Sequence, residues 1–285
     1  MVAFFRNTDG YTNDTTGYTL EDNWSDTPSL LACANVCSDQ DCDAFDFEDS
    51  TTECRLIHHS SKIYQPLIGI FIRCFQCDCL PAGSPSSVYT LTIPQGLVFD
   101  AYCDMETLNG GWLIFQRRFN GSQEFLNNWE DFKNGFGDPY GEYWLGNEKI
   151  YRLTSVQTYE LYIEMEDEAG DTKYARYNSF SLAPESDRYR LSVTGFTGNV
   201  TDSMLYNNGC RFTTKDMDND ERVNANCANV FRGSWWYRSC HHSNLNGFYS
   251  PTPGNNPDTM CWKNFTGTVE FTSLRKSKMM IRPVT

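Results

Sequence analysis

The pattern of apolar and polar positions changes character along the chain. Alternation of apolar with polar residues predicts β-strands at Leu97–Met105, Leu161–Met165 and Tyr189–Val193, because successive strand side chains point to opposite faces. Apolar residues at helical spacing predict short helices near Trp129–Phe136 and Trp144–Leu153. Beyond about residue 195 the periodicity gives way to a stretch rich in Gly, Asn, Asp and Trp. Its tryptophans and cysteines indicate an ordered loop region and not a disordered tail.

The N-terminal part of the chain has a different pattern. Thr27 and Pro28 precede an apolar run at helical spacing, and this order predicts a helix with Thr27 as N-cap and Pro28 in its first turn. Short apolar runs at Ala44–Phe47, Cys54–Ile57 and Ile68–Ile72 predict strands. We therefore expect a small α+β unit here, separate from the larger α+β domain that follows.

Cysteine usage indicates the compartment. The chain has 12 cysteines, a density that is unusual for a cytosolic protein. Glycosylation sequons agree with an oxidising compartment, and they begin at Asn13, Asn23, Asn120, Asn199 and Asn264. We therefore expect a secreted, extracellular glycoprotein. The first residues lack the pattern of a signal peptide, so we interpret the sequence as a mature piece without its export signal.

Charge and composition exclude several classes of partner. The net charge is −14, which opposes binding to nucleic acid or to an anionic membrane. No apolar run approaches the roughly 18 residues of a membrane-spanning helix, so no membrane insertion is expected. The chain has only 4 histidines, in two adjacent pairs, and no nucleophile with a matching base can be named. We expect no enzymatic activity.

The cysteine spacing of the N-terminal part resembles the core of PAN/apple modules. The pattern is Cys33-x3-Cys37-x4-Cys42, and it closes at Cys54-Arg55-Leu56. This resemblance implies the disulfides Cys33–Cys54 and Cys37–Cys42. Together with the change in periodicity, it predicts two domains, a disulfide-rich PAN/apple-like module at residues 1–76 and a second domain at residues 77–285.

Ordered motifs in the second domain carry a stronger resemblance. They are Cys103–Thr107, Gly110–Arg118, Asn134–Gly137, Glu142–Glu148, Thr213–Asp220, Cys240–Gly247 and Met280–Pro283. In this order they are similar to a fibrinogen-related domain. The resemblance implies a fibrinogen C-terminal-like fold, in which a twisted antiparallel sheet with short helices supports a long loop-rich region for calcium and ligand. Members of this family are binding modules, among them ficolins and related invertebrate lectins, angiopoietin-type ligands and tenascins.

Alternating acidic residues mark a candidate calcium site in the loop-rich region. The run Asp216-x-Asp218-x-Asp220 presents hard oxygen donors, although spacing alone equally fits an acidic turn exposed to water. The resemblance implies Ca²⁺ bound by the side chains of Asp218 and Asp220 together with two later main-chain carbonyls. One residue more than relatives usually have precedes the Asn-Cys pair, so those carbonyls belong either to Arg222 and Asn224 or to Val223 and Ala225.

A short cystine loop follows and predicts the ligand pocket. The resemblance implies a Cys227–Cys240 disulfide and a cis peptide bond between Ser239 and Cys240. It also implies that an acetyl group is recognised by the N–H of Cys240, by His241 and by the aromatic ring of Phe231. The alternative for His241 is a packed histidine that is hydrogen-bonded to a carbonyl.

The opposite wall of this pocket departs from the family pattern. It falls in residues 253–257, which include no aromatic residue, so we expect weak binding of simple N-acetyl sugars. Asn255 and Asn256 are expected to hydrogen-bond a larger or charged glycan instead.

Four further cysteines complete the expected disulfides. Cys79 and Cys103 enclose a turn-rich segment and are expected in a disulfide inside the second domain. Cys210 and Cys261 flank the recognition region, and we predict a bridge between them, with two buried free thiols as the alternative.

These features predict a secreted, calcium-dependent recognition protein. The first hypothesis is an innate-immune lectin that binds acetylated or other glycans on microbial surfaces. The alternative is an extracellular protein ligand or matrix module, angiopoietin- or tenascin-like, that binds a protein receptor. A homo-oligomer is compatible with either hypothesis, although the sequence has no collagen-like repeat or heptad stalk.

Overall fold

The computed structural model describes residues 2–4, 44–48, 53–57, 79, 84–93, 97–250, 254–268 and 270–284. Contacts between residues divide the chain into two units, Met1–Phe75 and Gln76–Thr285. The boundary lies one residue before the predicted one. Among the described residues, no helix has both the length and the apolar composition needed to cross a bilayer.

The first unit has a three-stranded antiparallel sheet in the order β1-β2-β3. Its strands are β1 (Val2–Phe4), β2 (Ala44–Glu48) and β3 (Glu53–Ile57). The strands predicted at residues 44–47 and 54–57 are thus confirmed. The predicted helix after Thr27 and strand at 68–72 lie outside the described residues, as do the side chain of Cys54 and the residues Cys33, Cys37, Cys42, Asn13 and Asn23. The PAN/apple resemblance stays a prediction.

An antiparallel sheet forms the second unit, with the strand order β11-β10-β9-β14-β6-β5-β4 along its main path. The bounds of these seven strands are β4 (Ser87–Ile93), β5 (Leu97–Asp104), β6 (Trp112–Arg118), β9 (Tyr159–Asp167), β10 (Thr172–Leu182), β11 (Leu191–Gly198) and β14 (Phe271–Pro283). Two short ribbons extend it, formed by β7 (Phe136–Gly137), β8 (Tyr143–Trp144), β12 (Ser243–Asn244) and β13 (Cys261–Lys263). The sheet-dominated fold expected from the alternation is confirmed.

Short helices pack against this sheet. They are α1 (Trp129–Asn134), α2 (Asn147–Thr154), α3 (Met204–Asn207) and α4 (Cys227–Val230), with 3-10 turns at Thr107–Asn109 and Glu185–Asp187. Helix α2 buries Ile150 and Leu153 and contacts β10. Burial of such a side chain contributes about 1.5–3 kcal/mol, which explains why so short a helix is stable.

Helix α1 connects the sheet to the loop-rich region. It ends at Gly135, where a Cβ atom would lie 2.2 Å from the carbonyl oxygen of Leu145, so only glycine fits. At its other end, the carboxylate of Asp216 accepts a hydrogen bond from the main-chain N–H of Trp129 at 2.9 Å. The first acidic residue of the candidate calcium run is therefore already engaged in holding a helix.

The loop-rich region has a core of its own. The side chains of Trp235, Trp236 and Trp262 are completely buried. The ring of Trp236 lies 5.2 Å from that of Phe212, and its Nε1–H donates to the carbonyl of Tyr189 at 2.8 Å. This burial confirms the prediction of an ordered region, because tryptophans in a disordered segment would remain in water.

Candidate functional site

Helix α4 sets the position of the candidate pocket. Its N-cap is Asn226, whose side-chain oxygen accepts hydrogen bonds from the N–H groups of Ala228 and Asn229. The amide of Asn226 donates to the carbonyl of Thr214 at 2.8 Å, which attaches the helix to the acidic run. A disulfide joins Cys227, the first residue of α4, to Cys240, the pairing that the resemblance implied.

His241 lies at the centre of the candidate pocket and is surrounded by aromatic rings. Its ring lies 4.6 Å from that of Phe231 and 5.2 Å from that of Phe271, both near-perpendicular, and 5.8 Å from that of Tyr237. The side chain is buried, and neither ring nitrogen has a hydrogen-bond partner among the described residues. Burial, and next the neighbouring His242, lower the pKa of His241 to about 3. The imidazole is therefore neutral at physiological pH.

The carbonyl of Pro257 interacts with this imidazole. It slightly opposes the lowering of the pKa, but it does not reach hydrogen-bond geometry. The alternative interpretation of His241, a packed histidine satisfied by a carbonyl, therefore accounts for the packing and not for the hydrogen bonding.

Main-chain donors lie beside the imidazole. The peptide bond between Ser239 and Cys240 is cis, as the resemblance implied. Among the described residues, the N–H groups of Cys240 and His241 donate to no protein acceptor. Two adjacent donors next to aromatic rings can hold a carbonyl oxygen while a small apolar group contacts the rings.

The ring of Phe271 is a pocket residue that sequence reasoning missed. The sequence analysis placed the opposite wall in residues 253–257, whereas Phe271 is the first residue of β14 and comes from a different element. The local sequence around Phe271 gives no indication of the pocket, because only the folded sheet brings Phe271 next to His241. The pocket is more aromatic than the sequence predicted.

The predicted ligand residues Asn255 and Asn256 are exposed to solvent, and they belong to the segment in which the opposite wall was predicted. The amide of Asn255 donates to the carboxylate of Glu270. The side-chain oxygen of Asn256 accepts the N–H of Asp258 at 2.9 Å, which closes a local turn. Both side chains therefore have protein partners, and the remaining donor and acceptor positions face water.

The two predicted calcium carboxylates lie close together. The oxygens of Asp220 accept the N–H of Arg222 and of Cys227, each at 2.8 Å, while Asp218 accepts the N–H of Asp220 at 3.3 Å. Burial raises the pKa of Asp220, and the neighbouring Asp218 carboxylate adds to the rise against these hydrogen bonds. Neither carboxylate forms an ion pair with a described Lys or Arg.

This pair fits a hard cation in charge and donor type. Side chains alone do not complete a coordination shell, because the described residues contain no group of three or more His, Cys, Asp or Glu placed to hold a metal. Main-chain carbonyls would have to supply the remaining ligands, and the predicted pairs, Arg222 with Asn224 or Val223 with Ala225, stay a prediction.

A main-chain hydrogen bond connects the acidic run to the backbone that leads into the candidate pocket. The N–H of Glu221 donates to the carbonyl of Arg238 at 2.8 Å, one residue before the cis peptide. The guanidinium of Arg222 lies 3.7 Å from the sulfur of Cys240. The acidic run is therefore in direct contact with the segment that leads into the cis peptide bond.

The predicted Cys210–Cys261 bridge is wrong. Both residues are buried free thiols, while Cys79 and Cys103 form a disulfide. The carbonyl of Cys210 accepts the N–H of Leu191 at the start of β11, whereas Cys261 lies in β13 with its sulfur 3.6 Å from the carbonyl of Pro257. The two thiols belong to different packing environments, and burial raises the pKa of each.

Three predicted glycosylation sites lie in the described part of the second unit. Asn120 and Asn199 are exposed, while Asn264 is half-buried and its side-chain oxygen is buried without a partner. The first two are therefore accessible to modification, and glycosylation at all three stays a prediction.

Comparison with known proteins adds the family. Residues 76–284 match the family described as fibrinogen beta and gamma chains, C-terminal globular domain. Human fibrinogen C domain-containing protein 1 is 46% identical over 204 residues, which is 70% of this chain and 43% of that protein. Bovine angiopoietin-4 is 44% identical over 209 residues, 70% of this chain and 41% of that protein. The chain thus spans less than half the length of these curated relatives.

A solved structure agrees with these relatives. The fibrinogen-like globe domain of human ANGPTL2 is 42% identical, with a TM-score of 0.66, and the match covers 70% of this chain and 94% of that one.

Proposed function

Because the chain belongs to the fibrinogen C-terminal domain family, we propose that it is a secreted, calcium-dependent lectin that recognises acetylated glycans, with microbial surfaces as the source. The observation that carries the proposal is that the N–H groups of Cys240 and His241 have no acceptor among the described residues and lie beside a neutral imidazole surrounded by aromatic rings. An N-acetyl group matches that arrangement, because its carbonyl oxygen needs donors and its methyl group needs an apolar contact.

The expected affinity of a single pocket is low. Burying one methyl group contributes about 0.8 kcal/mol, and each hydrogen bond contributes about 0.5–1.5 kcal/mol net. A few such contacts give dissociation constants of about 1 mM once the cost of association is included. Several pockets in a homo-oligomer would raise the apparent affinity on a dense glycan surface.

Calcium has a supporting role in this proposal. Asp218 and Asp220 would hold the ion with main-chain carbonyls of Arg222 and Asn224, and the bound charge would relieve the repulsion between the two carboxylates. Since the acidic run is hydrogen-bonded to Arg238, ordering it would also order the pocket backbone. Few charged ligands contribute, so we expect an affinity of about 10⁻⁴–10⁻³ M, typical of extracellular modules.

One observation favours the second candidate function, a protein ligand that binds a receptor. The side chain of Val223 in the acidic run is 94% exposed, and Val230 of α4 is partly exposed nearby in the chain. Exposed apolar side chains on a rigid loop suit a protein interface. In that case the same face would bind a receptor and sugars would be irrelevant.

A glycan array read with calcium and with a chelator separates the two functions. Wild-type protein should capture N-acetylated glycans and not their de-acetylated counterparts, and the chelator should reduce capture. His241→Ala and Phe231→Ala should abolish capture while calcium binding and folding persist. Phe196→Ala, on β11, is the matched aromatic control and should capture like wild type. Capture that survives both pocket variants would overturn the proposal, as would the absence of capture by any glycan.

A further inference from the structure

A cavity of about 360 Å³ lies between the end of α1, helix α2, the start of β5 and the 3-10 turn at Glu185–Asp187. Its size is at the lower end of the range for small-molecule sites, about 300–1,000 Å³. The cavity is separate from the acetyl pocket, because the two have no lining residue in common. Three cations, two carboxylates and one half-buried apolar side chain line it, namely Lys133, Lys149, Arg152, Glu148, Glu185 and Leu97.

The two carboxylates of the cavity already have partners within the protein. Glu185 forms an ion pair with Lys133 at 2.8 Å. Glu148 forms an ion pair with Nε of Arg152 at 2.7 Å, and it also accepts the hydroxyl of Tyr189 at 2.9 Å. Three cations and two paired carboxylates leave the lining with one surplus positive charge.

The surplus charge lies on Lys149. Its ammonium forms no ion pair with an acidic residue in the described ranges. It donates to the carbonyls of Asn134 and, at 3.1 Å, of Leu145, which leaves one hydrogen for a ligand. Burial lowers the pKa of Lys149, and no carboxylate offsets that burial. A bound anion would therefore stabilise this partly desolvated cation.

Arg152 offers a second set of donors on the same face. Lys149 and Arg152 are three residues apart in α2, so their side chains are neighbours. Arg152 binds Glu148 through Nε alone, and its Nη1 and Nη2 groups donate to no acceptor in the part of the chain that the structure describes. Two such amino groups match the two oxygens of a carboxylate. The single surplus charge also matches a carboxylate better than a phosphate monoester, which carries nearly two negative charges.

We propose that this cavity binds a carboxylate attached to a short branched apolar chain. Arg152 and Lys149 hold the carboxylate, and Leu97 contacts the chain. A free branched-chain acid and the C-terminal leucine of a peptide both present this chemistry. With one fork, one ammonium and one small apolar contact, the dissociation constant should be about 1–10 mM. The site does not depend on the lectin function proposed above.

The test follows leucine methyl resonances of the full chain by NMR during titration with 4-methylpentanoate and with its neutral isostere 4-methylpentanamide. Neither probe carries an acetyl group, so the acetyl pocket is not engaged. The acid should shift the Leu97 methyl resonances saturably and the amide should not. Arg152→Gln and Lys149→Gln should each weaken binding about tenfold. Arg152→Lys keeps the charge but loses the fork, so it should weaken binding about threefold.

Arg176→Gln is the matched control. Arg176 pairs with Glu160 and is 38% exposed, close to the 33% of Arg152, but it lies outside the cavity. Urea unfolding of each variant establishes that it is folded. Equal responses to the acid and the amide would overturn the proposal, as would saturable shifts that spare Leu97. Equal weakening by Arg176→Gln would also overturn it in favour of bulk charge.

Two further probes assign the source of the carboxylate. They are the peptide Gly-Gly-Leu with a free C-terminus and the same peptide with an amidated C-terminus. Binding of the free-ended peptide more tightly than 4-methylpentanoate would support the site and identify its ligand as a chain end. Tighter binding of 4-methylpentanoate would support the site and identify its ligand as a small acid. Equal binding of the free and amidated peptides at Leu97 would overturn recognition of a carboxylate.

Discussion

The sheet and the loop-rich region of residues 199–270 bury their cores equally well but hold their backbones by different means. In the sheet, residues 277–281 of β14 pair with β6 on one side and with β9 on the other, so ladder hydrogen bonds satisfy the main chain. In the loop-rich region, side-chain amides donate hydrogen bonds to main-chain carbonyls instead. The amide of Asn207 donates to the carbonyl of Trp236 at 2.8 Å, and that of Asn246 donates to the carbonyl of Ser234 at 3.1 Å.

The two regions meet through buried polar side chains of β6. Gln116 donates to the carbonyl of Leu245 at 2.9 Å, and Arg118 donates to the carbonyl of Gly247 at 3.0 Å. A loop can thus be as well ordered as a strand when buried amides and guanidinium groups satisfy its carbonyls. The consequence for function is that the pocket is positioned by individual polar residues and not by a repeating ladder.

The largest expected effect tests whether the loop core equals the sheet core. Trp236→Ala in the loop-rich region and Trp112→Ala in β6 should each lower the free energy of unfolding by about 3–5 kcal/mol, because both side chains are completely buried. Urea unfolding followed by fluorescence measures both. If Trp236→Ala lowers the free energy of unfolding by less than about 1 kcal/mol, the loop region has no core of its own.

The same contrast explains what the sequence could and could not predict. Alternation predicted the strands near Leu161 and Leu97, because successive side chains of a strand point to opposite faces of the sheet. The resemblance of the ordered motifs to a fibrinogen-related domain identified His241 and Asp218 as candidate site residues. Phe271 and the pairing of Lys263 with His242 were not predictable, since these contacts depend on how β13 and β14 return to the pocket.

The disulfide error has a related cause. Position along the chain brought Cys210 and Cys261 to the same region, but sequence separation gives no direction for a side chain. The main-chain carbonyl of Cys210 is hydrogen-bonded to the start of β11, whereas Cys261 lies in β13 with its sulfur 3.6 Å from the carbonyl of Pro257.

The second prediction concerns one of the side chains that hydrogen-bond to main-chain carbonyls in the loop-rich region, where a strand ladder is absent among the residues concerned. Asn207→Ala leaves the buried carbonyl of Trp236 without its donor and should lower the free energy of unfolding by about 1–3 kcal/mol. Asn178→Ala, at an exposed position of β10, is the matched control and should change it by less than about 0.5 kcal/mol. Equal small effects of the two variants, measured by thermal or urea unfolding, would contradict the importance of these amides.

The third prediction concerns the pH dependence of the loop region. The pKa of His241 is about 3 in the folded protein, below the ordinary value of 6.5, so the unfolded state binds the proton more readily. Its contribution to stability is complete above pH 6.5 and is lost as the pH falls towards 3. At pH 5.5 the wild type should lose about 1.4 kcal/mol relative to His241→Gln, which does not titrate.

Paired urea titrations of the two proteins between pH 8 and pH 5, with calcium held constant, measure this difference. The half-exposed His242 is present in both proteins, and its charge lowers the pKa of His241 in the wild type alone. Parallel stability curves for wild type and His241→Gln would show that the imidazole is not buried as a neutral group.

The smallest expected effect concerns calcium, which acts on the loop region alone. For a dissociation constant of about 10⁻⁴–10⁻³ M, 1 mM calcium should raise the free energy of unfolding by about 0.4–1.4 kcal/mol, because it binds only the folded state. Asp218→Asn keeps an acceptor for the N–H of Asp220 but removes a charged ligand, so its melting temperature should no longer respond to calcium. Asp216→Asn is the matched control. It lowers the charge of the same run, yet Asp216 is bonded to Trp129 and Thr214, so the response to calcium should persist. Loss of the response in both variants would mean that calcium senses only the net charge of the run, and the metal site would then have to be sought elsewhere.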